Sequence, residues 1–153
     1  MANKFRKDKN QSIITKTLQE KTKKSVNDAD LTSNFKVSFQ YMDTTQEYAS
    51  SFSDWKDDLL VPMMETLKGF CSQPLLSLIG GNKKFVPYTN GFPSAERTKF
   101  SKPQHVPLDA HWARIHINNC DVIVGHYVSD TFYVVFLDRG HNFYLTKKNL
   151  AGN

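Results

Sequence analysis

Cysteine is nearly absent: the 153-residue chain has two, Cys71 and Cys120. They stand too far apart in sequence for a local metal knuckle, and two thiols suit a reducing cytoplasm better than a disulfide framework. Long hydrophobic runs are missing as well. No apolar stretch approaches the roughly 18 residues of a membrane-spanning helix. The opening Met1-Ala-Asn-Lys-Phe-Arg-Lys is basic with no apolar run behind it, which argues against a secretory signal. Gly80-Gly81 lacks the Lys-Ser/Thr that completes a phosphate-binding loop. No Cys/His spacing fits zinc, and no internal repeat is visible.

What is present suffices for one core. Hydrophobic residues make up 39% and charged residues 23%, a globular composition at the length of one domain. The net charge of +5 is uneven. Residues 1–24 hold eight basic groups against two acidic ones, and the rest of the chain holds twelve against thirteen. The division expected is a basic N-terminal extension over 1–33, flexible or helical, and a single domain over 34–153. A basic arm of this kind adds salt-dependent affinity for phosphate.

Phe35, Val37, Phe39 and Tyr41 alternate with polar residues, which predicts a strand over about 34–42. Ser53 is a candidate N-cap. Leu59, Leu60, Met63, Met64, Leu67 and Phe70 then recur at helical spacing, with the Met pair expected in the core. Pro62 implies either a kink or two abutting helices. A short helix over 73–79 ends at Gly80-Gly81, and 83–88 reads as an edge strand because it contains Pro87. Residues 90–107 read as a long irregular loop, a feature that tends to be functional.

The last third is the most specific. His111–Ile117, Asp121–Val128 and Thr131–Leu137 read as three strands of a meander joined at Asn118-Asn119-Cys120 and Ser129-Asp130. Two-residue turns set His126 opposite Tyr133, Val124 opposite Val135 and Ile115 opposite Val124. This register predicts one face of Ala113, Ile115, Ile117, Val122, Val124, Val128, Val135 and Leu137 beneath helices, with His126 as a structural histidine among them. The other face then carries Trp112, Arg114, His116, Ile123, Tyr127, Phe132, Val134, Phe136 and Asp138, with Gly125 across from Arg114 leaving space beside the guanidinium. His141 and Tyr144 follow the third strand closely enough to join Arg114 and His116. The fold expected is α+β, with helices packed on one face of a mainly antiparallel sheet that ends in the meander.

Arginine can hold a phosphate, imidazole or phenol can move a proton, and rings can stack unpaired bases. The pattern Trp112-Ala-Arg114-Ile, Val122-Ile-Val, Ser129-Asp-Thr-Phe-Tyr-Val-Val-Phe-Leu, then His141 and Tyr144, resembles the closing segment of the RelE/ParE superfamily of bacterial toxins. That resemblance implies a cytoplasmic mRNA endoribonuclease without metal or other cofactor, acting on RNA or ribosome-bound mRNA and restrained by an antitoxin protein. It implies Arg114, His141 and Tyr144 as catalytic residues. Trp112, His116, Tyr127, Arg139, Lys99 and Lys102 are the residues expected to bind RNA. The alternative is a non-catalytic nucleic-acid- or protein-binding module from a mobile element.

Overall fold

The computed structural model describes residues 32–146. The basic extension, except for its last two residues, lies outside that range. Among the described residues the element order is β1 (Lys36–Ser38), β2 (Ala49–Ser50), α1 (Phe52–Trp55), α2 (Leu60–Phe70), α3 (Leu75–Gly81), β3 (Phe85–Pro87), β4 (His111–His116), β5 (Asp121–Val128) and β6 (Thr131–Arg139). The strands form one six-stranded sheet in the order β1-β6-β5-β4-β3, with β2 also on β6. β1 runs parallel to β6 and every other pairing is antiparallel. The α+β architecture is therefore as expected.

Local chemistry accounts for the helices. Ser51, not Ser53, caps α1: its hydroxyl accepts the Asp54 N–H at 3.3 Å while the Asp54 carboxylate accepts the Ser51 N–H at 2.7 Å, a reciprocal capping box. Pro62 sits in the first turn of α2, where its missing N–H has no intrahelical acceptor to lose. The interruption thus resolves as two helices, not a kink. Met63 is buried and Met64 is exposed, so only half of that pair joins the core. The first strand is shorter than its alternation suggests, because the chain turns at Gln40-Tyr41.

Both faces of the sheet are buried. Under the helices, Phe35, Trp55, Met63, Leu67, Phe85, Ile115, Ile123 and Phe132 form one apolar cluster. On the far side, Trp112, Val122, Val124, Val135 and Phe136 pack beneath Phe100, Val106 and Phe143. The long loop is the lid of this second layer. It is tied to the closing segment by Lys99 N–H to Asn142 O at 3.0 Å and by Leu145 N–H to Arg97 O at 2.7 Å.

The meander register differs from expectation at both turns. Asn118 Oδ1 accepts the N–H groups of Cys120 and Asp121 at 2.7 and 2.8 Å, and Ile117 N–H meets Asp121 O at 3.0 Å. The loop therefore holds three residues, not two, and the register slips by one. Ile115 pairs with Ile123, Arg114 with Val124, and Ala113 with Gly125. On the other side the Ser129-Asp130 turn sets Val128 against Thr131 and His126 against Tyr133 as expected. A bulge then makes Val124 face Phe136. In β4 the expected division holds: Ile115 faces the helices, and Trp112, Arg114 and His116 face away. In β5 the two sets exchange, so Ile123 and Tyr127 go to the helices while Val122, Val124 and His126 go to the far side. Phe132 and Val134 join the helix face, and Val135, released from the ladder by the bulge, turns to the other. Its carbonyl accepts the Asp43 N–H at 2.8 Å.

Gly125 does not leave space beside Arg114. It lies opposite Ala113, and a Cβ there would come within 2.0 Å of the Tyr133 carbonyl oxygen and 2.8 Å of the Phe132 ring. The glycine lets β6 bulge against β5. Gly125→Ala is expected to destabilise the domain by about 1–3 kcal/mol or more, read as a lower urea midpoint; an unchanged midpoint would mean the bulge does not need glycine.

Candidate functional site

β4 carries Arg114 and His116 toward the second layer, two residues apart and so on the same side. Arg114 Nε donates to His116 Nε2 at 2.9 Å, and a terminal nitrogen of the guanidinium donates to the Tyr88 hydroxyl at 3.2 Å. The guanidinium carbon lies 5.3 Å from the Tyr88 ring centre, within cation–π range. Tyr88 stands just past β3, with its N–H on Trp112 O at 2.8 Å. It stacks on Tyr144 at 5.6 Å between ring centres.

His141 completes the group. Its ring centre lies 5.4 Å from that of His116, and its Nε2 is 2.9 Å from Asn119 O. A carbonyl only accepts, so Nε2 carries the hydrogen and Nδ1 holds the lone pair of the neutral ring. His141 reaches this place through a left-handed backbone, φ 59°, immediately after Gly140 at φ 94°. That turn closes on Asp138, which is fully buried. One carboxylate oxygen accepts the Asn142 N–H at 2.9 Å and the other accepts the Phe143 N–H at 2.8 Å. The side chain of Asn142 adds a longer bond at 3.3 Å.

Electrostatics follow from this packing. Burial holds His116 below its ordinary value, and the neighbouring Arg114 and His141 push the same way; a hydrogen bond with the Asn118 backbone opposes them. His116 is therefore neutral at pH 7, with Nε2 as an acceptor. Burial raises the Tyr88 phenol, so it keeps its proton. Burial also raises Asp138, against the pull of the N–H groups it accepts from. Among the described residues the ion pairs are Lys36–Asp130 and Arg139–Asp58, so no carboxylate neutralises Arg114. Two clefts flank the group. One, of about 320 Å³, is lined by Lys83, Lys84, His116 and Asn119; the other, of about 590 Å³, by Tyr88, Phe92, Arg97 and Tyr144.

Arg114, His116, His141 and Tyr144 are thus gathered as the sequence suggests, and the other expected RNA-binding residues are not. Trp112 is 1% exposed beneath Phe92 and Phe143, so its ring has no face for a base. Tyr127 faces the helix side, against Phe85 and His111. Arg139 turns toward α1, donating to Asp54 O at 3.0 Å and to the Asp58 carboxylate. Lys99 lies over the Tyr48 ring, and Lys102 donates to Pro103 O and Val106 O. Tyr88 is the member that sequence reading missed. The signal was its position after an edge strand that pairs with β4, which becomes readable only with the β3–β4 register.

Comparison with protein-family models, with curated proteins and with solved structures gave no match. No helix among the described residues is long and apolar enough to cross a membrane.

Asp138 is expected to carry the closing turn. Asp138→Ala strands two backbone N–H groups, one of them buried, and should cost roughly 2–4 kcal/mol of stability. Chemical denaturation measures this, and a loss below about 0.5 kcal/mol would mean that the turn closes without the carboxylate.

Proposed function

We propose that the chain is a RelE/ParE-like endoribonuclease that cleaves RNA, free or on the ribosome, by acid–base chemistry in a cytoplasmic setting, with an antitoxin protein as its restraint. One observation carries the reading. A guanidinium with no carboxylate partner among the described residues bridges a neutral imidazole and a phenol, with a second imidazole beside them, between two clefts that hold lysines, an arginine and aromatic rings.

The chemistry follows from what each group can do. Arg114 turns to the scissile phosphate and offers two N–H groups to its oxygens, stabilising the charge added in the transition state. Leaving His116 uncovers Nε2, which takes the proton of the ribose 2′-hydroxyl. The 2′-oxygen then bonds to phosphorus, and the bond from phosphorus to the 5′-oxygen breaks. His141, protonated at Nδ1, gives that proton to the departing 5′-oxygen. The products are a 2′,3′-cyclic phosphate and a 5′-hydroxyl. Two imidazoles 5.4 Å apart suit this exchange, because the nearby His141 helps hold His116 in the neutral form that a base needs. Tyr144 and Tyr88 offer a stacked platform for a neighbouring base, and Lys83 and Lys84 attract the strand beyond.

Expression of the wild type in cells should arrest growth and yield mRNA fragments with 2′,3′-cyclic ends. Arg114→Ala and His141→Ala, expressed to the same level and folded, should each lower cleavage by about 10²–10⁴-fold. A wild type that is harmless, and that leaves free and ribosome-bound RNA intact in EDTA, would overturn the nuclease reading in favour of a non-catalytic binding module.

A further inference from the structure

At the opposite end of β4 from His116, on the helix side of the sheet, lies an apolar groove of about 480 Å³. Leu76 and Ile79 of α3 line it together with His111 of β4 and Tyr127 and Val128 of β5. The rings of His111 and Tyr127 stack at 5.4 Å and 16°. Leu76 and Val128 are 53% and 44% exposed, and Leu108, beside the lining residues Pro107 and Asp109, is 90% exposed. Large aliphatic side chains gathered at one place form an apolar patch that suits a partner surface.

The N-terminal extension joins the domain at this same end. Asn34 forms a bridge with Pro74, the residue before α3. Phe35 N–H donates to Gln73 O and Lys36 N–H donates to Asp130 O, each at 2.9 Å. The chain therefore enters β1 between the start of α3 and the turn after β5, the two places that bring Leu76 and Val128 to the groove. Ile13, Ile14 and Leu18 are the one place in residues 1–31 where three large aliphatic side chains fall within six positions. Leu18 precedes Asn34 by sixteen positions, a reach of up to about 50 Å at ~3.3 Å per residue. Charge agrees with the geometry. Asp109 is the one Asp, Glu, Lys or Arg lining the groove among the described residues. The extension carries Lys16 within the aliphatic stretch and Lys21, Lys23 and Lys24 after it.

We propose that the groove receives residues 13–18 of this same chain, with Ile13, Ile14 and Leu18 covering Leu76, Val128 and the His111–Tyr127 pair and Lys16 set toward Asp109. Removing apolar surface from water on both sides drives the contact. The covalent link raises the local concentration of the stretch to the order of millimolar, so a weak contact suffices. Docking anchors the basic arm to the domain at the end remote from His116.

Disulfide trapping in the full chain gives the test. Cys71 and Cys120 are exposed free thiols, and both are first replaced by serine. Thr17→Cys then sets a thiol beside Leu18 and leaves the three aliphatic residues intact. Its partner is Leu108→Cys at the rim of the groove or, as the control, Val61→Cys, 68% exposed on α2. Under mild oxidation the 17–108 pair should close within one molecule about tenfold faster than the 17–61 pair. Ile13→Asp combined with Ile14→Asp, which alters no core residue of the domain, should lower the 17–108 rate to that of the control. Equal rates for the two pairs, or a 17–108 rate that survives both aspartates, would overturn the proposal. Disulfides formed only between molecules, with a yield that rises with protein concentration, would overturn it too and assign the groove to a second copy.

Discussion

A carboxylate with no exposed surface, that of Asp138, is the contact on which the remainder of the site depends. It stands one residue before the end of β6 and accepts the N–H groups of Asn142 and Phe143. The chain therefore reverses at once and lays Phe143 onto Trp112 and Phe136. That reversal places His141 beside His116 and Tyr144 over Tyr88. The charge is not free of cost. Burial raises the pKa of Asp138, so the native state holds its proton more firmly than the unfolded chain does. The contribution of this residue to stability is accordingly greatest at low pH and declines as pH rises above the ordinary value of 3.8. The N–H groups that it accepts from offset part of that cost.

The second layer makes the same segment indispensable. A sheet with helices on one face can leave the other to solvent, but here Trp112, Val122, Val124 and Phe136 would then be exposed together. The long loop and the closing turn cover them, and the covering stops short at Arg114 and His116. The half-buried position of these two residues follows from where the lid ends. Partial burial is what lowers the His116 pKa while leaving its ring beside a cleft.

Legibility in the sequence tracked the range of the interactions. Period-two alternation located the strands, and β4 sorted its own residues correctly between the faces. The β4–β5 register depended on whether Asn118 is a strand residue or a loop residue. Its side chain settles this by bonding two backbone N–H groups, a choice that hydrophobic pattern does not report. The bulge at Val135 was hidden for a similar reason, since it exists only because Gly125 admits the neighbouring strand. Charged residues were the least readable. Arg139 looked like part of a positive surface, yet its partner Asp58 is 81 residues away. Lys102 likewise spends its charge on carbonyls of its own loop. His141 and Tyr144 follow β6 directly, and the β4–β5–β6 meander returns the chain to β4, so their place near Arg114 and His116 was readable from the order of strands.

The central claim is that Arg114, His116 and His141 behave as one electrostatic group, and the titration of the His116 ring tests it most directly. Its C–H resonances, followed by NMR against pH, should give a midpoint below 6.5 in the wild type. A folded-state value below the unfolded one means that protonating His116 opposes folding, so stability should also fall as pH drops through that range. In Arg114→Ala, which removes the adjacent charge and lets water in, the midpoint should move up. A wild-type midpoint at or above 6.5, or one that Arg114→Ala leaves in place, would contradict the account.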